Sequence, residues 1–276
     1  MNNIIKVTQK WYKNQFFYSI AVTSIMLSNI SISIIGARIL SVSEYGLIAL
    51  VKPTIVIFSS FFGFGLSQAF NHWRWREGTN KKELVNTIFG GIIVSSLIFS
   101  IVLFIIFSIL LKERNELISF YGYISLLILC ISYLQNNEML NFYRVDNLKI
   151  KFTFSTIIRS FLQIIIVSFF FFYTRKYTSF VYGLTLSETI LYLILINDLG
   201  YFKPKFNFSL LKDLINFGFP NSITICGSFA LTFTDRYMIN YFTNDTAQIG
   251  IYDVNYLIAG GFITFISRPL NLYIQP

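Results

Sequence analysis

Apolar residues fall into long runs along the chain, and polar and charged residues gather in short tracts between them. The runs are Phe16 to Leu40, Gly46 to Phe70, Asn86 to Leu111, Leu117 to Phe142, Phe152 to Tyr173, Phe180 to Asn197, Leu214 to Ile239 and Ile251 to Ile274. A helix needs about 20 apolar residues to cross the hydrocarbon of a bilayer, and these runs have that scale. Strands of a membrane barrel would be about ten residues of alternating polarity, which these are not. The pattern predicts an all-α, polytopic membrane bundle of about 8 transmembrane helices.

Composition agrees. Of 276 residues, 54% are hydrophobic and 13% charged, against about 25% charged in a soluble domain. The formal net charge is +9. A basic chain can signal nucleic acid, but these charges sit in tracts between membrane-length runs, so nucleic acid is set aside as a partner. With the N-terminus on the cytoplasmic side, that side collects Lys6, Lys10, Lys13, Arg74, Arg76, Lys81, Lys82, Arg144, Lys149, Lys151, Lys203, Lys205 and Lys212. The other side receives Arg38, Lys112, Arg114, Arg175, Lys176 and Arg236, while Lys52, Arg159 and Arg268 fall within runs. The positive-inside bias therefore puts both chain ends in the cytoplasm. The first run is long and lacks a small-residue cleavage site, so it reads as a retained span.

Cys130 and Cys226 lie inside apolar runs, and His72 stands alone, so no disulfide framework, metal site, cofactor or triad is expected. Asp-x-Asp, Gly-x-Ser-x-Gly, Walker A and His-Glu-x-x-His motifs are missing, and no loop could hold a catalytic domain. The chain is therefore not expected to be an enzyme.

A break is expected at Tyr201 to Lys212, which carries Pro204 and three lysines. It divides a six-helix lobe (1–200) and a linker (201–212) from the first two helices of a second lobe (213–276). A weak repeat supports this: Ala37-Arg38-Ile39-Leu40 with Tyr45-Gly46 is echoed by Asp235-Arg236-Tyr237-Met238 with Gly250-Ile251-Tyr252. The copies are six spans apart and cross in the same direction, as parallel repeats do. The second repeat stops after two helices, so the chain is expected to be truncated, the front part of a longer protein.

Charged groups at membrane depth are costly and usually face a polar cavity or a partner. The seventh run carries Asn221, Thr224, Ser228, Thr232 and Asp235 on one helical face, and the first carries Ser24, Ser28, Ser31 and Arg38. Such stripes line a lumen or, alternatively, let helices pack closely; the terminal Arg38 and Asp235 favour the lumen. Lys52 stands beside Pro53, with snorkelling as its alternative role. Ser155, Arg159 and Gln163 follow at steps of four, and the Arg159 guanidinium suits phosphate. Glu188 and Glu138 are candidates for a coupling proton or cation, or for structural ion pairs such as Glu188 with Arg159. Phe169 to Phe172 reads as lipid-facing bulk.

Ala37-Arg38-Ile39-Leu40 with Tyr45-Gly46, then Phe62-Gly63-Phe64-Gly65-Leu66, resembles the start of bacterial polysaccharide exporters of the O-antigen flippase type. Asn141-Phe142-Tyr143-Arg144 to Arg159 resembles their fourth loop and fifth helix, and Phe217-Gly218-Phe219-Pro220 with Asp235-Arg236-Tyr237-Met238-Ile239 their seventh. That family belongs to the multidrug, oligosaccharidyl-lipid and polysaccharide exporter superfamily. The resemblance implies an undecaprenyl-pyrophosphate-linked oligosaccharide moved between leaflets of the bacterial cytoplasmic (inner) membrane, for O-antigen or capsule synthesis. It also implies membrane lipid, a polysaccharide polymerase and a chain-length regulator as partners. Arg38, Lys52, Arg159 and Arg236, with Asn221 and Ser228, become candidate lumen residues; Glu138, Glu188 and Asp235 become coupling-ion candidates. On this reading Arg159→Ala abolishes export at an unchanged membrane level. The alternatives are a membrane-embedded polymerase or glycosyltransferase, which would call for a larger outer loop than Asn240 to Gly250, and a cation-coupled drug exporter of the same superfamily.

Overall fold

A computed structural model describes residues 2–76, 80–111, 119–199, 207–257 and 259–260, with side chains from Phe16 onward. The protein is an all-helical bundle: α1 (Asn2–Ile39), α2 (Val42–Phe62), α3 (Leu66–Trp73), α4 (Lys81–Leu110), α5 (Phe120–Val145), α6 (Lys149–Thr174), α7 (Thr178–Leu199) and α8 (Phe208–Thr243). A ninth helix, α9, runs through 246–257. Six of the described helices, α1, α2, α4, α6, α7 and α8, are long and apolar enough to cross a membrane. The 26-residue α5 matches α6 in length, but Gln135 to Glu138 interrupt its apolar sequence. Most of the expected eighth span, Ile251 to Ile274, and the first half of the linker 201–212 lie outside the described residues, and the rest of the linker, from 208 onward, is already helix.

The chain marks its helix ends locally. Ser41 caps α2 by accepting from Glu44 N at 3.3 Å, Asn80 caps α4 from Lys82 N at 3.2 Å, and Asn207 caps α8 from Leu210 N at 3.1 Å. Each side-chain oxygen satisfies an amide that the helix leaves orphaned. The second run departs from expectation. It is not one helix from Gly46 to Phe70: α2 stops at Phe62, and Gly65 takes φ +64° before α3 begins. Glycine enters that left-handed region without a Cβ penalty, which lets the chain turn inside an apolar stretch.

Neighbours in space run α1, α6, α7, α5, α4, α2, and α8 lies against α2 and α3. The core holds Phe99, Leu103, Phe107, Leu126, Leu129, Phe171 and Val181. Phe169 and Phe172 are exposed, but Phe171 is buried and meets Gly36 of α1, so the phenylalanine run is only partly outward bulk. At the α6–α7 crossing a Cβ on Gly183 would stand 2.7 Å from Val167 Cα. Gly183→Val is expected to force the two helices apart and to cost about 1–3 kcal/mol, as overpacking of a tight interior does. A lowered thermal midpoint of the purified protein in detergent would register it; an unchanged midpoint would contradict the close crossing.

Candidate functional site

The charged residues within the bundle fall into three groups. In the first, Arg159 of α6 meets Glu188 of α7, which is 0% exposed. Arg159 Nε donates to Glu188 Oε1 at 2.8 Å and its NH1 group donates to Asn137 Oδ1 at 2.8 Å. Gln163 Nε2 donates to the same Glu188 Oε1 at 2.8 Å, and Asn136 Nδ2 donates to Glu188 Oε2 at 2.7 Å. The guanidinium lies 5.2 Å from the Tyr133 ring centroid. Three helices thus supply a neutralised, hydrogen-bonded pair, the arrangement that makes a buried charge tolerable. Arg159 keeps a 14% exposed side chain, and its second terminal nitrogen makes no hydrogen bond among the described residues.

The second group joins α2, α8 and α9. Arg236 is 2% exposed. Its Nε donates to Asp253 Oδ1 at 2.7 Å, and its NH1 group donates to Asp235 Oδ1 at 3.1 Å. The Tyr45 hydroxyl donates to Asp253 Oδ2 at 3.4 Å, and Tyr252 donates to Asp235. Half-buried Lys52 faces Asp253 and Arg236 without a hydrogen bond to either. Nearby, Thr54 Oγ1 and the Tyr237 hydroxyl stand 2.7 Å apart across the α2–α8 contact. Backbone approach makes this possible. A Cβ on Gly46 would overlap the carbonyl oxygen of Thr246, and one on Gly250 would lie 2.8 Å from the carbonyl oxygen of Val42.

The third group ties α3 to α5. Glu138 is 5% exposed and accepts from the Ser67 hydroxyl, while its Oε2 is buried with no hydrogen-bond partner among the described residues. Asn141 Nδ2 donates to Ser67 O and to Asn71 Oδ1, each at 3.3 Å, and Arg144 donates to Asn141 Oδ1 at 2.9 Å. Of the three coupling-ion candidates, Glu188 has both oxygens filled by donors and Asp235 is bonded to Arg236 and Tyr252. Glu138 alone of the three has a carboxyl oxygen without one.

The remaining candidates lie elsewhere. Arg38 is exposed at the end of α1. Ser24 and Ser28 face α6: Ser28 Oγ donates to Ser160 O at 3.2 Å, and Ser160 Oγ donates to Ser24 Oγ at 3.2 Å. Those two hydroxyls serve helix packing. On α8, Asn221, Thr224, Ser228 and Thr232 are exposed, and the three hydroxyls donate to carbonyls one turn back, Ser228 to Thr224 O at 2.9 Å. Among the described residues no three His, Cys, Asp or Glu side chains come together as metal ligands.

Sequence reasoning missed Asp253, Tyr252 and Tyr256 as the partners of Arg236. The signal was present as an acidic residue inside an otherwise apolar run, beside a tyrosine that the repeat had already singled out.

A family described as polysaccharide biosynthesis protein matches residues 35–276. No curated protein matches the chain significantly. Among solved structures, a ligand complex of the MATE multidrug transporter DinF-BH is 16% identical at a TM-score of 0.73, over 96% of this chain and 64% of that one. A MATE protein in complex with Br-NRF is 20% identical at 0.63, over 97% and 66%. An outward-facing multidrug resistance MATE family transporter of the MOP superfamily is 16% identical at 0.57, over 96% and 68%. At these identities the likeness concerns the fold alone, and the chain spans 64% of the length of the first of these structures. With the family match reaching over nearly the whole sequence and the helices arranged as in the MATE transporters, the chain belongs to the polysaccharide biosynthesis protein family.

Proposed function

We propose that the protein works in a transporter that flips an undecaprenyl-pyrophosphate-linked oligosaccharide across the bacterial cytoplasmic membrane, for surface polysaccharide such as O-antigen or capsule. What carries the reading is family membership over residues 35–276 on a transporter-type helical fold. A pyrophosphate and its sugars cannot cross hydrocarbon unaided, so a polar path between helical lobes lowers the barrier while the polyprenyl tail stays in lipid. The N-terminus is cytoplasmic on the charge bias of the loops. The second lobe is taken to begin with α8 at Phe208, within the 201–212 stretch.

Within that path the pairings redistribute the candidate roles. Arg159 is neutralised by Glu188, and Arg236 by Asp235 and Asp253. Among the described residues, Lys52 is the span cation without a hydrogen bond to a carboxylate, and its ammonium is the preferred donor to a phosphate oxygen, with exposed Arg38 next in rank. Asn221 and Ser228, on the open face of α8, suit sugar hydroxyls. Glu138, with its unfilled oxygen, is the preferred coupling carboxyl ahead of Glu188 and Asp235. Polymerase and chain-length regulator would act downstream on the flipped unit.

The test is flipping of a lipid-linked oligosaccharide in vesicles containing the protein. Lys52→Ala is expected to slow flipping by about ten- to a hundredfold, the worth of one charge-assisted hydrogen bond at about 1.5–3 kcal/mol, and Lys52→Arg to retain most of it. Flipping unaffected by Lys52→Ala would remove Lys52 from the path. In cells lacking the protein, lipid-linked units should accumulate on the cytoplasmic leaflet; unpolymerised units on the outer leaflet would point to a polymerase instead. The likeness to multidrug MATE structures favours one second reading, cation-coupled drug export, which efflux of organic cations with undisturbed surface glycan would support.

A further inference from the structure

The seam between α3 and α5 holds a cation without a counter-charge. Among the described residues Arg38, Arg76 and Arg175 are exposed, whereas Arg74, Arg144, Arg159 and Arg236 are drawn out of solvent. Arg74 pairs with Asp146, Arg159 with Glu188, and Arg236 with Asp235 and Asp253. Arg144 makes no ion pair among the described residues. Its NH2 group donates to Asn141 Oδ1 at 2.9 Å, but its Nε is buried with no hydrogen-bond partner among those residues. The side chain as a whole is half-buried, so the guanidinium is not sealed from a solute.

The seam holds this guanidinium in place. Asn141, its one acceptor, is itself fixed to α3 through the bonds from its Nδ2 to Ser67 O and Asn71 Oδ1, each at 3.3 Å. The carboxylate that acts on Arg144 electrostatically is Glu138. Glu138 stands six residues earlier, about 9 Å along the helix, and takes the Ser67 hydroxyl instead. At the same end of the seam Arg74 has a buried NH1 group that also lacks a hydrogen-bond partner among the described residues. The loop charges put this end of the bundle on the cytoplasmic side. A guanidinium withdrawn from water without a carboxylate carries an unmet desolvation cost, which an external anion can offset. Its planar array of N–H donors matches the oxygens of a phosphate.

We propose that Arg144, oriented by Asn141, binds a phosphate-bearing anion at the cytoplasmic end of the α3–α5 seam. The phosphate belongs either to an anionic lipid headgroup or to the pyrophosphate of a lipid-linked oligosaccharide. The second source rests on the flipping reading and deepens it, adding a contact at the entrance to those assigned along the path. Binding is measured without transport, so the failure of one reading is distinguishable from the failure of the other.

The experiment reads the thermal unfolding midpoint of the protein in phosphatidylcholine nanodiscs titrated with inorganic pyrophosphate at constant ionic strength, and in nanodiscs that also contain phosphatidylglycerol. Wild type is compared with Arg144→Gln and with Arg76→Gln, which removes an exposed arginine close in sequence to Arg74. A ligand that binds the folded form alone raises the midpoint saturably. The expected result is such a rise with at least one probe in wild type and Arg76→Gln, weakened about tenfold or more in Arg144→Gln, as loss of a charge-assisted hydrogen bond predicts. A rise with pyrophosphate assigns a pyrophosphoryl head to the site, and a rise with phosphatidylglycerol alone assigns the lipid. No rise with either probe in wild type, or a rise undiminished in Arg144→Gln, would overturn the proposal. Should Arg144→Gln not fold, Arg144→Lys takes its place: it keeps the charge but loses the planar donors, so binding is expected to weaken severalfold, and wild-type affinity overturns the assignment.

Discussion

Arg159→Ala is expected to deplete folded protein from the membrane as well as to abolish export. The sequence alone favoured loss of export at unchanged level, with Arg159 as a phosphate ligand. The hydrogen bonds to Glu188 and Asn137 change that outcome. Removing one partner of a buried pair leaves an uncompensated charge, at a cost of about 3–5 kcal/mol. Glu188→Ala should be comparably harmful, since it leaves the Arg159 charge uncompensated and takes the side-chain acceptor from Gln163 and Asn136. The double variant Arg159→Met/Glu188→Leu should recover part of the loss, because apolar residues of similar volume can replace a buried pair. Recovery should be incomplete, as the half-buried Gln163 amide then lacks its acceptor and Asn136 keeps only the backbone carbonyl of residue 188, at 2.8 Å, a loss of about 1–3 kcal/mol for a donor left unmade. Thermal midpoints and membrane levels of the three variants measure this, and flipping separates the roles. A double variant that folds and still flips makes the pair purely structural; one that folds without flipping keeps Arg159 in the path. Equal stability of all three variants and wild type would contradict the buried pair.

Gly65→Val should have the second large effect. Gly65 holds a left-handed φ and its Cβ position is filled by the carbonyl of Gly218, while a Cβ on Gly218 would strike the carbonyl of Gly65 in return. A β-branched residue pays for the backbone conformation and for the collision, so a loss of about 4 kcal/mol or more is expected. The α8 helix can escape the clash only by moving away from the α2–α3 turn. That would also break the bonds from Ser222 Oγ to the carbonyls of Ser60, at 2.5 Å, and Phe61, at 3.1 Å, and the stack of Phe217 on His72 at 4.6 Å. Disulfide formation between Phe64→Cys and Phe219→Cys, in a Cys130→Ser/Cys226→Ser background, reads the separation; their rings now lie 6.0 Å apart. Undiminished cross-linking in Gly65→Val would show that the contact is looser than described.

Much of the fold was legible because membrane helices must satisfy their own backbone and expose apolar side chains, and both demands are written as long apolar runs. The break at Gly63 to Gly65 was not legible. Apolar residues continue through it to Phe70, and the need for a turn comes from a partner more than 150 residues away in sequence, Gly218 of α8. The short motifs that carried the family resemblance prove to be contact points: Gly46, Gly65, Gly218 and Gly250 all sit where one helix backbone meets another. For the candidate site, sequence identified the ionisable groups but not their partners. Arg159 and Glu188 stood out singly, whereas the choice between ligand and ion pair depended on α5, α6 and α7 meeting at one depth. Asn221 and Ser228 are both exposed on α8, whereas Ser24 and Ser28 of α1 turn toward a neighbour, a difference that spacing could not give.

The seating of α2 also bears on how the protein is made. Its residues are largely buried, partly beneath α8, which begins only at Phe208. Chains emerge N-terminus first, so α2 leaves the ribosome long before its cover exists. The Thr54 hydroxyl meets that interval by donating to Leu50 O at 2.7 Å within its own helix, and it gains Tyr237 only when α8 arrives. A newborn α2 can therefore rest against lipid with its hydroxyl already satisfied, and docking of α8 becomes a late closing step of biogenesis rather than a condition for inserting the helices before it.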